Sequence, residues 1–294
     1  MNLTATSTSW PHAATSAVSR WWFTPVPLAR IAAFRVLAYV FVPLDVLWLR
    51  PWGAAHGHVD GQLYQPLLIG RALPLPTPST PLVAFVQYGM VLAAVALVVL
   101  VVRDRAPRWQ AALGASVFLL YLEWMIISFS YGKVDHDRFA FLVALAVLPT
   151  AGRAALRDMR PSQAAGWSLR MVQVGVVATY FLAAVAKVRF GGWAWVNSTT
   201  IARAVIRRGT MFADPLLQMP WTLQFTQWFI LTLEFVSPAL LFIRSKWQQY
   251  AVAFLVSFHM MTFLMIRIIF MPHVVCLAAF LPLERILNRR ESSV

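Results

Sequence analysis

The constraint that dominates this sequence is a series of apolar runs about as long as a bilayer is thick. Residues 81–102 pass without one charged side chain, and ~20 helical residues cross a hydrocarbon core. Comparable runs cover residues 28–49, 109–130, 168–188, 222–243, 247–270 and 271–287, with a shorter one at 138–149. Hydrophobic residues make up 60% of the chain, charged ones 12%, and the mean hydropathy is +0.65. A water-soluble domain cannot hide that much apolar surface. The fold expected is all-α, a polytopic membrane helix bundle of about eight transmembrane helices. The last two runs meet at Met271-Pro272, as one broken helix or a tight hairpin.

The division expected is a polar N-terminal tail and interfacial segment over 1–27, a transmembrane domain over 28–287 and a short cytoplasmic tail over 288–294. The first twenty residues are rich in Ser, Thr and Ala and lack an apolar core. They read as a disordered tail leading to Trp21-Trp22-Phe23, not as a cleaved signal peptide. A net charge of +14 raises the question of nucleic acid. The basic residues instead flank apolar runs, where they set orientation, so no nucleic-acid partner is expected. The lone Cys276 excludes an internal disulfide and cysteine-built metal sites.

With the N-terminus inside, the cytoplasmic ends collect Arg20, Arg103, Arg105, Arg108, Arg153, Arg157, Arg160, Arg170, Arg244, Lys246, Arg285, Arg289 and Arg290. The opposite ends hold the smaller set of Arg50, Arg71, Lys133, Arg138, Arg189, Arg203, Arg207 and Arg208. Basic residues are retained on the cytoplasmic side. Both termini are therefore expected in the cytoplasm and the chain in the plasma (inner) membrane. Two outer loops are long, and in the second Ile201, Val205 and Met211 alternate with Arg203, Arg207 and Arg208. That pattern predicts an interfacial helix starting near Asn197-Ser198-Thr199.

Ionisable groups inside a bilayer are costly, so each is a functional candidate. By depth, Asp45, Glu123, Lys187 and Arg267 fall toward the outer ends of their runs, and Glu234 and His259 near the midplane. Asp135-His136-Asp137 mark the outer mouth of the short run. A polar cluster facing the outer leaflet lets them satisfy one another. Lys187 follows the small-residue stretch Ala183-Ala184-Val185-Ala186 and precedes Gly191-Gly192-Trp193. An amine held away from water is suited to general-base work, while a lysine at a span end also serves as a snorkelling anchor. His259 and Glu234 form either a structural or a functional pair, and His136 is a proton relay or part of a solvated loop. His56 and His58 lack further ligands nearby, so no metal site is assigned. Nucleotide loops, serine elbows and zinc-protease motifs are missing from the sequence.

Three segments together resemble the horizontally transferred transmembrane (HTTM) domain family, the membrane portion shared with vitamin K-dependent gamma-carboxylase. They are Asp135-His136, the stretch from Tyr180-Phe181 to Lys187 followed by Trp193 or Trp195, and Ser257-Phe258-His259. The resemblance implies that Lys187 is the base that deprotonates a reduced quinone, with His136 and His259 in support as catalytic residues. Glu234, Asp135, Arg267 and Trp193 complete the candidate set as binding residues. Ser198 departs from the glycine the family usually places after the Trp. The sequence stops at Val294, so carboxylation of glutamyl peptides is not expected. The alternative is a non-enzymatic maturation or scaffolding partner, or a carrier, for an exported peptide or small ligand.

Overall fold

A computed structural model describes residues 12–288 except 74 and 133. The expected tail over its first eleven residues, the end of the chain from 289 and Lys133 lie outside the described residues. Twelve α-helices follow in order among these residues: α1 His12–Trp22, α2 Leu28–Leu44, α3 Leu68–Ala72, α4 Thr80–Val102, α5 Pro107–Phe129 and α6 Phe139–Val147. Then come α7 Gln163–Gly191, α8 Thr200–Arg208, α9 Pro220–Val236, α10 Ser245–Ile266, α11 Met271–Leu277 and α12 Glu284–Asn288. The protein is an all-α membrane bundle. Five helical stretches are long and apolar enough to cross a bilayer: Leu28–Leu49, Thr80–Val102, Pro107–Phe129, Gln163–Gly191 and Ser245–Ile266. The other three expected runs are interrupted. α9 ends in the 3-10 turn Ser237–Leu241, α6 in Leu148–Ala151, and α11 in Ala278–Phe280.

Local chemistry explains the boundaries. Proline stands in the first turn of α4, α5, α9 and α11, where its missing N–H has no intrahelical partner to lose. Ser162 caps α7 by accepting from the Ala165 amide at 3.2 Å. In α2, Pro43 sits inside the helix, and the next turn, Asp45–Leu49, widens to a π-helix. The segment read as a disordered tail is helical from His12. Its end is held in place: Trp21 stacks on Phe242 with centroids 6.0 Å apart, and the Arg170 guanidinium lies 4.3 Å from the Trp21 ring.

The helices are apolar nearly all round, as in hydrocarbon they must be. The inward core gathers Trp124, Tyr39, Tyr121, Phe34, Phe141, Ile31 and Met90, all buried, while Phe85, Leu92, Val95 and Leu119 face outward. α4 packs against α2 and α5, α6 against α7, and α11 inserts among α2, α6 and α7. At one end of the bundle, a two-residue antiparallel ladder pairs Val26 with Ser162 and Pro27 with Pro161. There the first free amides of α2 find partners outside the helix: Leu28 donates to the Arg160 carbonyl and Ala29 to that of Asp158. Hydrogen bonds from Arg160 hold the Asp158 carboxyl down to about 2. This terminal end also carries the Arg30–Glu284 pair at 2.6 Å.

At the opposite, mouth end, a buried polar network locks α2 to the chain before α6. Asp45, fully buried on the π turn, accepts from the Tyr121 hydroxyl at 2.8 Å and from Arg138 Nη2 at 2.8 Å. Arg138 also donates to Asp137 at 3.3 Å, and Arg50 pairs with Asp135. Deeper in, Arg35 Nη2 donates to the Leu148 carbonyl at 2.6 Å and closes the end of α6. The 3-10 stretch Pro51–His58 lies directly on Trp124, because a Cβ on Gly53 would stand 2.4 Å from the indole.

Two stability outcomes follow. A Cβ at Gly166 would stand 1.9 Å from the Thr24 carbonyl oxygen. Gly166→Ala must therefore push the N-terminal entry off α7, at a cost of about 1–3 kcal/mol, read as a lower melting temperature in detergent. An unchanged melt would refute the close contact. Asp45→Asn strands the buried Arg138 charge and should cost about 3–5 kcal/mol. Asp104→Asn, which breaks only the exposed pair with Arg153, should cost less than about 1 kcal/mol. Equal losses in the two variants would contradict the buried network.

Candidate functional site

The site is built around α7. Lys187 stands one turn before the helix ends at Gly192, whose φ of 64° turns the chain away. Its Nζ donates to both carboxylate oxygens of Glu234 on α9, each at 2.6 Å, and lies 5.5 Å from the Trp195 ring centroid. The pair is mostly buried, with 22% of the lysine side chain and 12% of the carboxylate side chain exposed. An ammonium between a carboxylate and an indole face in hydrocarbon is held by both charge and quadrupole.

Lys187 borders a cavity of about 500 Å³. Its walls are largely apolar, with Met125, Phe129, Leu142 and Leu182 among them, and its polar contributors are Asp135, His136, Arg138, Thr179 and Lys187. Ala178, Ala183 and Ala186 open the space on the α7 side, while Ala184, one position round, is fully buried in helix packing. The small residues of α7 thus serve two purposes, according to the direction each faces. A volume of this size with few convergent polar groups suits an apolar small molecule.

His259 lies elsewhere. Its Nε2 is 2.6 Å from the Tyr180 hydroxyl, and it borders a second hollow of about 260 Å³ with Phe270, Met271 and Val274. Phe270 touches both imidazoles, with its ring 4.9 Å from His259 and 6.4 Å from His136. Tyr180 precedes Lys187 by seven residues on α7, hence on nearly the same helix face. Glu234 is joined to the cavity through Lys187 rather than as a wall. Trp193 is 66% exposed and stacks on Phe235, while Trp195 is the indole beside the amine. Arg267 terminates α10 in a left-handed conformation, φ 54°, and is exposed, apart from both hollows.

One histidine escaped the sequence reading. His273 on α11 is buried, has no hydrogen-bond partner at either ring nitrogen among the described residues, and packs edge-on against Tyr180 at 4.5 Å and near His259 at 5.4 Å. The cost of a polar ring inside an apolar run was the available signal. Groups of His, Cys, Asp or Glu able to hold a metal do not occur among the described residues.

Residues 139–284 match the family model of the HTTM domain. No curated protein and no solved structure matches the chain. The matched stretch runs from the start of α6 to the start of α12. It contains Lys187, Glu234, Tyr180 and His259, while Asp135 and His136 immediately precede it. Together with the apolar helices around this cavity, the match identifies the chain as a membrane protein of the HTTM family.

Proposed function

We propose that this protein is a membrane enzyme in which Lys187 acts as a general base on an apolar, weakly acidic substrate of the reduced-quinone class, bound in the cavity beside α7. The observation that carries the reading is the position of Lys187: a cavity wall on one side and both oxygens of Glu234 on the other. The apolar walls and the about 500 Å³ of space fit a ring with an apolar substituent. A reduced quinone would supply a hydroxyl proton for removal.

The residues divide the work. Glu234 takes a proton from the Lys187 ammonium across a 2.6 Å hydrogen bond, and rotation about the Cε–Nζ bond turns the resulting lone pair from Glu234 to the cavity. Nζ then accepts the substrate proton, and the restored ammonium faces the negative charge left in the cavity, with Glu234 now neutral. Trp195 holds the protonated amine over its face. His136 and Arg138 border the same space, with the Arg138 guanidinium held by Asp45 and Asp137. His259 positions Tyr180, and through it this face of α7, instead of touching the substrate. The separation of basic residues supports an orientation with both termini in the cytoplasm and the cavity toward the outer leaflet of the plasma membrane.

The competing reading, a scaffold or carrier for an exported peptide, treats Lys187–Glu234 as a structural pair. Lys187→Arg separates them, since arginine keeps the charge and the salt bridge but offers no neutral amine. In proteoliposomes supplied with a reduced short-chain naphthoquinone and oxygen, the wild type is expected to accelerate oxygen uptake. Lys187→Arg should lose that rate by at least about a hundredfold with an unchanged melting temperature. A variant as active as the wild type would rule out the base.

A further inference from the structure

A second polar hollow lies at the mouth end, outside the Lys187 cavity and sharing only Asp135 with it. It encloses about 390 Å³ between the 3-10 stretch Pro51–His58, the end of α5 and the end of α8. Arg50, Ser128, Tyr131, Asp135 and Arg208 line it, with His56 stacked on Tyr131 at 4.7 Å. Three of these residues carry a buried polar atom without a hydrogen-bond partner among the described residues: Arg50 Nε, Ser128 Oγ and the Tyr131 hydroxyl. Arg50 is only 2% exposed. Buried donors are normally satisfied, and three of them stay unsatisfied in residues that border one hollow.

The charge balance says what enters. Arg50 and Arg208 bring two positive charges, and Asp135, paired with Arg50, cancels one. One unit of positive charge stays unmatched among the described lining residues, alongside two hydroxyl donors. A singly charged anion balances that unit, whereas a dianion would meet the Asp135 carboxylate. We infer that this mouth-end hollow is a binding site for a singly charged oxyanion, a carboxylate or a phosphodiester, held by Arg50, Arg208, Ser128 and Tyr131. The site is bordered by exposed Trp52 and by Arg208 at the end of the amphipathic α8, features of a membrane interface, where lipid headgroups and soluble carboxylates both reach. It is independent of any chemistry at Lys187.

The test uses the full chain in an uncharged maltoside detergent. One arm titrates hexanoate and a second titrates short-chain phosphatidylglycerol, both by calorimetry, with methyl hexanoate as the uncharged control. Saturable one-to-one binding is expected in at least one arm and none with the ester. Binding in the first arm alone identifies a carboxylate guest, and in the second alone a lipid phosphodiester. Arg208→Ala, at an exposed position, and the double variant Ser128→Ala with Tyr131→Phe should each weaken it about tenfold or more. The double variant removes hydroxyls that have no hydrogen-bond partner among the described residues, so its melting temperature without ligand should not fall. No saturation in either arm, binding of the ester, or wild-type affinity in either variant would overturn the proposal.

Discussion

In hydrocarbon a charged side chain has no partner except one the chain itself provides, and the structure is arranged around that requirement. Asp45 on the π turn after α2 meets Arg138 ahead of α6, Arg30 on α2 meets Glu284 on α12, and Lys187 on α7 meets Glu234 on α9. Each pair joins segments far apart in sequence. Apolar helix faces in a bilayer can slide or rotate against one another with little change in buried area. A paired charge cannot, because a shift of one turn strands both partners. The pairs therefore act as pins that fix depth and rotation, whatever their net contribution to stability.

The pin at Lys187 has a further consequence. Glu234 and Trp195 fix the amine on two sides, and the third side is open because alanines at 178, 183 and 186 leave the α7 surface thin. The apolar walls keep water scarce, which strengthens each electrostatic contact inside. The polar residues of the mouth, Asp135, His136 and Arg138, border the same space. A site of this kind arises from the requirement that organises the fold: where charges must be gathered to be tolerated, they are also gathered to act.

The place of the long helices along the chain was legible in the sequence and their azimuth was not. Run lengths located α2, α4, α5, α7 and α10, and the alternation of Ile201, Arg203, Val205 and Arg207 located α8. The cost of charge in hydrocarbon singled out Asp45, Lys187, Glu234 and His259. Which of them meet depends on how each helix is turned about its axis, and helices apolar all round carry almost no record of that. Hence Glu234 was paired in expectation with His259 by depth, whereas the structure gives it to Lys187 and gives His259 to Tyr180. Trp193 and Trp195 lie in one 3-10 turn, where a two-residue difference reverses direction, and spacing alone could not choose between them. The π turn at Asp45 needed Pro43 and the Arg138 partner together, which only the folded chain brings to one place.

The separation of His259 from the Lys187 cavity bears on how the proposed chemistry is distributed. A group that exchanges protons with a substrate must lie within hydrogen-bond reach of it, and His259 borders a different hollow. Its contact is with Tyr180, which shares the Lys187 face of α7 and also meets His273. Phe270 lies against His259 and His136 at once. An altered ring at 259 can therefore reach the cavity along two packed routes, through α7 to the amine and through Phe270 to the opposite wall. Those routes transmit position, not protons, since Phe270 has no titratable atom and the Tyr180 hydroxyl is spent on the imidazole. In the proposed enzyme, His259 is thus a positioning residue, and the proton path is confined to Lys187, Glu234 and the groups that line the cavity itself.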